Sequence, residues 1–430
     1  MIPTLKNLLF GSRLKRNISW IFVGNVLHAI FAFLLTVYAA RILSVDENGL
    51  INYISAIITF FTTLATLGLP SVVTRFFAQD EQHAGTYIAT AFWSRFYVGI
   101  FIVIAIQVGL WWLHPDNTLR ILLAGQSLVL LVAPTDIFIY WYRYKNKPNI
   151  PAVYRIVSFF LAAVWKIVAL AVFHSLLGYV LGIVLETALL GLFLFIFLKK
   201  LYPEKQLTYS HTAFWKMFAL SYPFILSGIL ITIYGQADKV MLKNMVDTQA
   251  VAFYSISLTI AGLISILPNI LIEAFRPDIM EYKINNETLY QRRLGQLYAI
   301  IFWSCMVYGV LIMIFSKPII GLLYGPKYLP AVPSLSLVVW YTSFSYFGAI
   351  NNVYMVAEEK TKWVIISTFV GASCNVLLNW LFIPTWKICG AAMATLLTQI
   401  MTNFVMMFLI KDLRKGFKIM YRAIVFKFSI

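Results

Sequence analysis

The chain has 430 residues, 61% of them hydrophobic and only 12% charged, whereas ordinary soluble domains carry about 25% charge. So few charges cannot cover so much apolar surface, which excludes a soluble fold and points to an all-α integral membrane protein. The net charge of +17 does not indicate nucleic acid, because the basic residues follow alternate loops and form no basic domain.

The first 19 residues carry Lys6, Arg13, Lys15 and Arg16, and the apolar run behind them is too long for a signal-peptide core. The first span is therefore read as a retained anchor. A helix needs roughly 20 apolar residues to cross the hydrocarbon core. Such stretches fall near 17–40, 49–70, 86–113, 118–142, 150–173 and 175–199, then near 213–235, 249–272, 295–316, 331–357, 361–384 and 389–410, about twelve in all. On this map 24 Lys and Arg lie on the side of the termini, 7 on the other side and 3 within spans, which places both termini in the cytoplasm.

Two stretches follow one plan. Asn17 to Pro70 and Ser221 to Pro268 each run as a span, a charged elbow and a second span closed by proline. A tyrosine precedes each elbow (Tyr38, Tyr234) and another opens the following span (Tyr53, Tyr254), at offsets of 198 for the prolines and 201 for the second tyrosines. Internal repeats of this kind mark transporter folds. The predicted division is a six-helix lobe over 1–199, a cytoplasmic linker over 200–212, a second six-helix lobe over 213–410 and an amphipathic tail over 411–430. The basic amphipathic segments Glu273 to Leu294 and Lys411 onward are predicted to lie on the cytoplasmic membrane surface, drawn to anionic lipid.

Motifs for chemistry are missing. There is no G-x-x-x-x-G-K-[ST] loop, H-E-x-x-H, G-x-S-x-G or Cys/His ligand cluster. Cys305, Cys374 and Cys389 read as small core residues, the five histidines are scattered, and His28 reads as a satisfied core residue. No cofactor, metal or enzymatic activity is predicted. The spans do hold ionisable residues, which cost about 2.5–3.5 kcal/mol each at mid-helix: Arg95, Asp136, Arg155, Lys166 and Glu186, all in the first half. They pair between helices, for example Arg95 or Arg155 with Asp136, or they face a hydrated lumen that holds an anionic substrate. For Lys166, deep in its span, the lumen is favoured, with Glu186 as its partner or as a proton-titrating group.

Four segments carry a family likeness. QADKVMLKNMVDTQAVAFYSISLTIAG (Gln236 to Gly262) resembles the seventh-to-eighth span signature of polysaccharide transporters in the multidrug/oligosaccharidyl-lipid/polysaccharide (MOP) flippase superfamily. YAARILSVDENGLINYISAIITFFTTLATLGLPSVVTRF resembles the first elbow and second span, LLYGPKYLPAVPSLSLVVW the stretch ahead of the tenth span, and NVLLNWLFIPTWKICGAAMATLLTQ the eleventh and twelfth. The resemblance implies a Wzx-type flippase of undecaprenyl-linked oligosaccharides, with two six-helix lobes around a central cleft, in the bacterial inner membrane. It matches Asp238 to the elbow acid, Asn375 and Asn379 to the eleventh-span asparagines, and Gly390, Ala391 and Ala392 to the small residues of the twelfth. The implied partners are the lipid-linked oligosaccharide, membrane lipid, a polysaccharide polymerase and a chain-length regulator. Lumen charges cannot be carried over by motif, so Arg95, Arg155 and Lys166 are assigned to the diphosphate, and Asp136 and Glu186 to ion coupling or pairing, on membrane burial alone. Two readings compete: a multidrug antiporter of the same superfamily, which needs an acid-lined site for cations, and a polysaccharide polymerase, which needs a large outer loop.

Overall fold

The structure, a computed structural model, describes residues 13–113, 116–201 and 207–425. Lys6, His114, residues 202–206 of the expected linker and the last five residues of the expected tail lie outside the described residues. The helices that matter are α1 (Arg13–Ile42), α2 (Val45–Ala65), α3 (Ala84–Leu113), α4 (Asn117–Tyr144), α5 (Asn149–Ala171) and α6 (Leu176–Leu201). They continue as α7 (His211–Met245), α8 (Thr248–Asn285), α9 (Glu287–Leu323), α10 (Val332–Ala357), α11 (Lys362–Ile400) and α12 (Arg414–Ile424). Among the described residues nine helices are long and apolar enough to cross a membrane, so this is a multi-pass membrane protein.

Helix starts follow local chemistry. Ser44 caps α2 with a full capping box, its hydroxyl accepting from the Glu47 amide while the Glu47 carboxylate returns to the Ser44 amide. Asp247 caps α8 through the Ala250 amide at 2.7 Å, so the two elbows matched in the sequence open their second helices in the same way. Both second helices meet a 3₁₀ turn near the matched prolines, at Leu69–Ser71 and at Leu263–Ser265. Pro134, with no N–H to donate, sits in another such turn over Ala133–Asp136, which bends α4 where it carries Asp136.

Three departures from the sequence reading stand out. First, α7 does not stop at Tyr234 but runs on to Met245, so Asp238 lies inside a helix rather than in an elbow. The polar GQADK run looks like a loop by hydropathy, but alanine, lysine, methionine and leucine are good helix formers and carry the helix through it. Second, residues 273–294 stay helical, broken only at Asn286, which caps α9, and Ile279, Tyr290 and Leu294 are buried in the core. Third, α12 turns its apolar face, Ile419, Met420 and Ala423, into the same core against Tyr354 and Met407. Lys418 and Arg422 are left exposed. The protein's own apolar surface competes with lipid for such a face, and here the protein takes it.

The described chain divides into two compact units, Met1–Glu47 with Ile54–Thr232, and Asn48–Tyr53 with Ile233–Ile430. This division falls within α7, whose first part packs on the end of α2. There the Ser221 hydroxyl donates to the Leu67 carbonyl at 2.8 Å, and the Thr63 and Thr232 hydroxyls share a hydrogen bond of 2.8 Å. In the first unit the core gathers Phe77, Ile88, Trp141 and Leu194, with the Tyr142 hydroxyl donating to the Leu194 carbonyl at 3.0 Å.

Candidate functional site

Buried polar groups that carry charge gather in both units. In the first unit, Arg95 on α3 is 1% exposed and sends both terminal nitrogens to Asp136, the second at 3.1 Å. The bend at Pro134 delivers that carboxylate, which keeps 37% of its side-chain surface open. A forked guanidinium on a carboxylate is the strongest ion-pair geometry proteins use. Arg95 is thereby occupied by Asp136.

One layer away in sequence, Lys166 on α5 is 6% exposed, and its Nζ lies 2.7 Å from Glu186 Oε2 on α6. The other oxygen of Glu186 lies 3.6 Å from His28 Nε2 on α1. Gly182, one turn before Glu186, lets the lysine stem pass: a Cβ there would stand 2.5 Å from Lys166 Cγ. Arg155 is half-buried eleven residues before Lys166. Eleven residues are close to three helical turns, so the two cations share a face of α5, about 16 Å apart along its axis.

Among the described residues the second unit buries a single acid. Asp238 on α7 is 5% exposed, and no basic side chain among the described residues lies within ion-pair distance of it. Its Oδ2 accepts from the Tyr254 hydroxyl at 2.6 Å and from Thr395 Oγ1 at 3.0 Å, and its Oδ1 accepts from Asn379 Nδ2 at 2.5 Å. Asn379 also donates to Asn375 Oδ1 at 3.0 Å, and Asn375 Nδ2 donates to Thr395 Oγ1 at 3.0 Å. The Asn379 carbonyl oxygen is buried without a partner.

Gly390 makes the return possible: α11 breaks at Lys387 (φ 49°, ψ −124°), and a Cβ on Gly390 would stand 2.3 Å from the Phe382 carbonyl. This close approach brings Thr395 back over Asn375 and Asn379. Asp238 is thus ringed by neutral donors, Tyr254, Thr395 and Asn379, with Asn375 bonded to the last two. A carboxylate among neutral donors is able to take up a proton.

A family model described as polysaccharide biosynthesis protein matches residues 14–283. The chain belongs to this family. A second model, MatE, matches residues 223–381. Among relatives of this polysaccharide biosynthesis protein, an uncharacterized membrane protein of Methanocaldococcus jannaschii is 24% identical over 292 residues, 64% of this chain and 56% of its own length. The chain thus spans little more than half of that relative. The capsular polysaccharide biosynthesis protein CapF of Staphylococcus aureus is 20% identical over 392 residues, covering 89% of this chain and 96% of CapF. Two solved structures share the fold. An inward-facing multidrug resistance MATE family transporter of the MOP superfamily aligns at TM-score 0.74 and 13% identity over 94% of this chain and 96% of its own. The lipid II flippase MurJ, in an inward closed conformation, aligns at 0.73 and 14% over 93% and 90%. The fold is that of the MOP transporters.

Of the residues singled out in the sequence of this polysaccharide biosynthesis protein, the structure joins Arg95 to Asp136, Lys166 to Glu186, and Asp238 to Asn379 with Asn375 beside it. Three participants escaped: His28, Tyr254 as a ligand of Asp238, and Thr395. The asparagines are spaced i, i+4 on one helix, a visible signal for a shared face. Nothing local marks Thr395, which lies 157 residues from Asp238.

Proposed function

We propose that this protein flips undecaprenyl-diphosphate-linked oligosaccharide repeat units from the inner to the outer leaflet of the bacterial plasma membrane, for O-antigen, capsule or exopolysaccharide. The observation that carries the reading is the pair of cations on one face of α5, half-buried Arg155 and buried Lys166, in a member of the polysaccharide biosynthesis protein family. A diphosphate needs a few cations at different depths, and a lysine presents a compact point charge to it. Arg95 enters through Asp136, which it holds in place. CapF, a capsular polysaccharide biosynthesis protein, and MurJ, a lipid II flippase, support the class of cargo. A polymerase and a chain-length regulator are the proposed functional partners.

Twelve crossings, six on either side of the linker, are part of the proposal. The nine apolar helices are joined in it by α1, by the 26 residues of α10 and by the far side of the Lys387 break in α11. So is the cytoplasmic placement of both termini, from the excess of basic residues on that side. Ion coupling is assigned to Asp238 rather than to Asp136 or Glu186, because those two acids already face Arg95 and Lys166. The MatE match supports the second reading, multidrug antiport, in which Asp238 would serve a cationic drug.

The test is Lys166→Ala beside Lys166→Arg in a strain whose surface glycan depends on this gene. The flippase reading expects the alanine variant, expressed at normal level, to lose full-length glycan and the arginine variant to retain part of it. Full-length glycan from the alanine variant would overturn the site. Drug resistance conferred without any effect on glycan would favour the antiporter.

A further inference from the structure

Glu186 is shared. Lys166 takes Oε2 at 2.7 Å, and the imidazole of His28 stands 3.6 Å from Oε1, its ring edge-on to Phe159 at 4.8 Å between centroids. The side chains of His28 and Glu186 keep 30% and 26% of their surface open, while that of Lys166 keeps only 7%. The imidazole and the carboxylate are thus partly open, whereas the lysine is nearly closed off behind its partner.

The neighbourhood is otherwise sparse in charge. Helix α5, packed against α1, carries Tyr154, Arg155 and Lys166, and the adjoining half of α6 carries Tyr179 and Glu186. Further along α1 are Tyr38 and Arg41. Among the described residues, only Glu186 lies within ion-pair distance of the imidazole.

We infer that His28, Glu186 and Lys166 form a proton-gated anion grip, in which a proton on His28 sets a second cation on Glu186, weakens its hold on Lys166 and leaves the triad with a net positive charge for an anionic phosphate ligand. With His28 neutral, Lys166 and Glu186 cancel and the triad presents no net charge. With His28 protonated, one carboxylate faces two cations on its two oxygens, and the triad carries one net positive charge. Histidine is the side chain type whose unperturbed charge change lies between pH 5 and 8. Linkage then requires that proton and phosphate ligand strengthen each other's binding. The inference rests on the reading that Lys166 meets the diphosphate head, and it adds what regulates that contact.

The experiment uses the full chain purified in detergent, with farnesyl diphosphate as the probe and its dissociation constant measured at pH 8.0 and pH 5.5. Protonation of the probe itself contributes equally for every variant, so the quantity read is the difference from wild type. Wild type is expected to tighten about tenfold more than His28→Gln on acidification, the change that one unit of linked pKa produces. Glu186→Gln, which releases Lys166 at every pH, is expected to bind tightly at both values and to show no step beyond that of the probe. It also keeps the test open if His28→Gln fails to yield a monodisperse protein. A full wild-type step in either variant overturns the inference. Lys166→Ala separates the two levels. If it binds as wild type, the diphosphate site itself is wrong; if it loses binding while His28→Gln keeps the step, only the gate is wrong.

Discussion

In the first unit each membrane-embedded acid described here meets a base: Asp136 takes the fork of Arg95, and Glu186 takes Lys166. In the second unit Asp238 meets the hydroxyls of Tyr254 and Thr395 and the amide of Asn379; among the described residues no base lies within ion-pair distance, and Lys239, the next residue along the chain, is the cation near it. The difference has a physical consequence. An acid-base pair in a low-dielectric interior is neutral as a whole, and either member holds the other in its charged form. An acid held by neutral donors lacks a direct partner of opposite charge. The first unit thus pairs its buried charges directly, and the second surrounds its buried acid with neutral donors.

The largest expected break in this contrast is at Asp238. Asp238→Ala leaves three donors buried without their acceptor, and hydrogen bonds to a charged group are worth about 1.5–3 kcal/mol each. A loss of up to about 4.5–9 kcal/mol is expected, read as a lowered midpoint of thermal unfolding in detergent. Asp238→Asn keeps an acceptor oxygen and should lose about half as much. If alanine is neutral, the cluster does not hold α7 to α8 and α11.

The ion pair in the first unit should break unevenly. Asp136→Asn strands a guanidinium that is 1% exposed, and removing one partner of a buried pair costs about 3–5 kcal/mol. Arg95→Met strands only a carboxylate that keeps 37% of its surface open and can be hydrated, so about 1–2 kcal/mol is expected. Equal losses in the two variants would show that Asp136 is as sequestered as its partner.

The smallest effect sharpens the contrast from outside the membrane-spanning segments. Glu358, in the turn after α10, meets Lys283 at 2.7 Å, Lys415 at 3.3 Å and Lys360 at 3.8 Å. Burial pushes its carboxyl up, but the Lys283 hydrogen bond and the charges of Lys415 and Lys283 outweigh this and hold it below the usual carboxylate range. A depressed acid contributes stability that is present above its unfolded pKa and is lost as pH falls through the folded value. The unfolding midpoint should therefore drop as the solution is taken below about pH 4.3. Glu358→Gln should flatten that drop and lower the midpoint slightly at neutral pH. An unchanged acid limb in that variant would remove Glu358 from the network that ties α12 to the start of α9.

Much of the fold was legible in the chain because its determinants are local. A run of roughly 20 apolar residues matches the bilayer wherever it occurs, and Ser44 and Asp247 start helices through amides three residues away. Family membership was legible for the same reason, since its motifs are contiguous. Periodicity could also say that Asn375 and Asn379 share a face.

It could not say what that face meets. Asp238 looked like an elbow residue because hydropathy measures transfer to lipid, whereas its burial is decided by donors 16, 141 and 157 residues away. The amphipathic tail looked like a membrane-surface helix because its moment is indifferent to which apolar surface receives it. Only the packed structure assigned that face to Tyr354 and Met407. His28 reads as an ordinary core histidine until folding sets it beside a carboxylate 158 positions further along the chain, already claimed by Lys166. Local sequence determined where the helices run and how they begin. Partnership between distant side chains depends on which helix faces are brought together, and that only the tertiary structure decided.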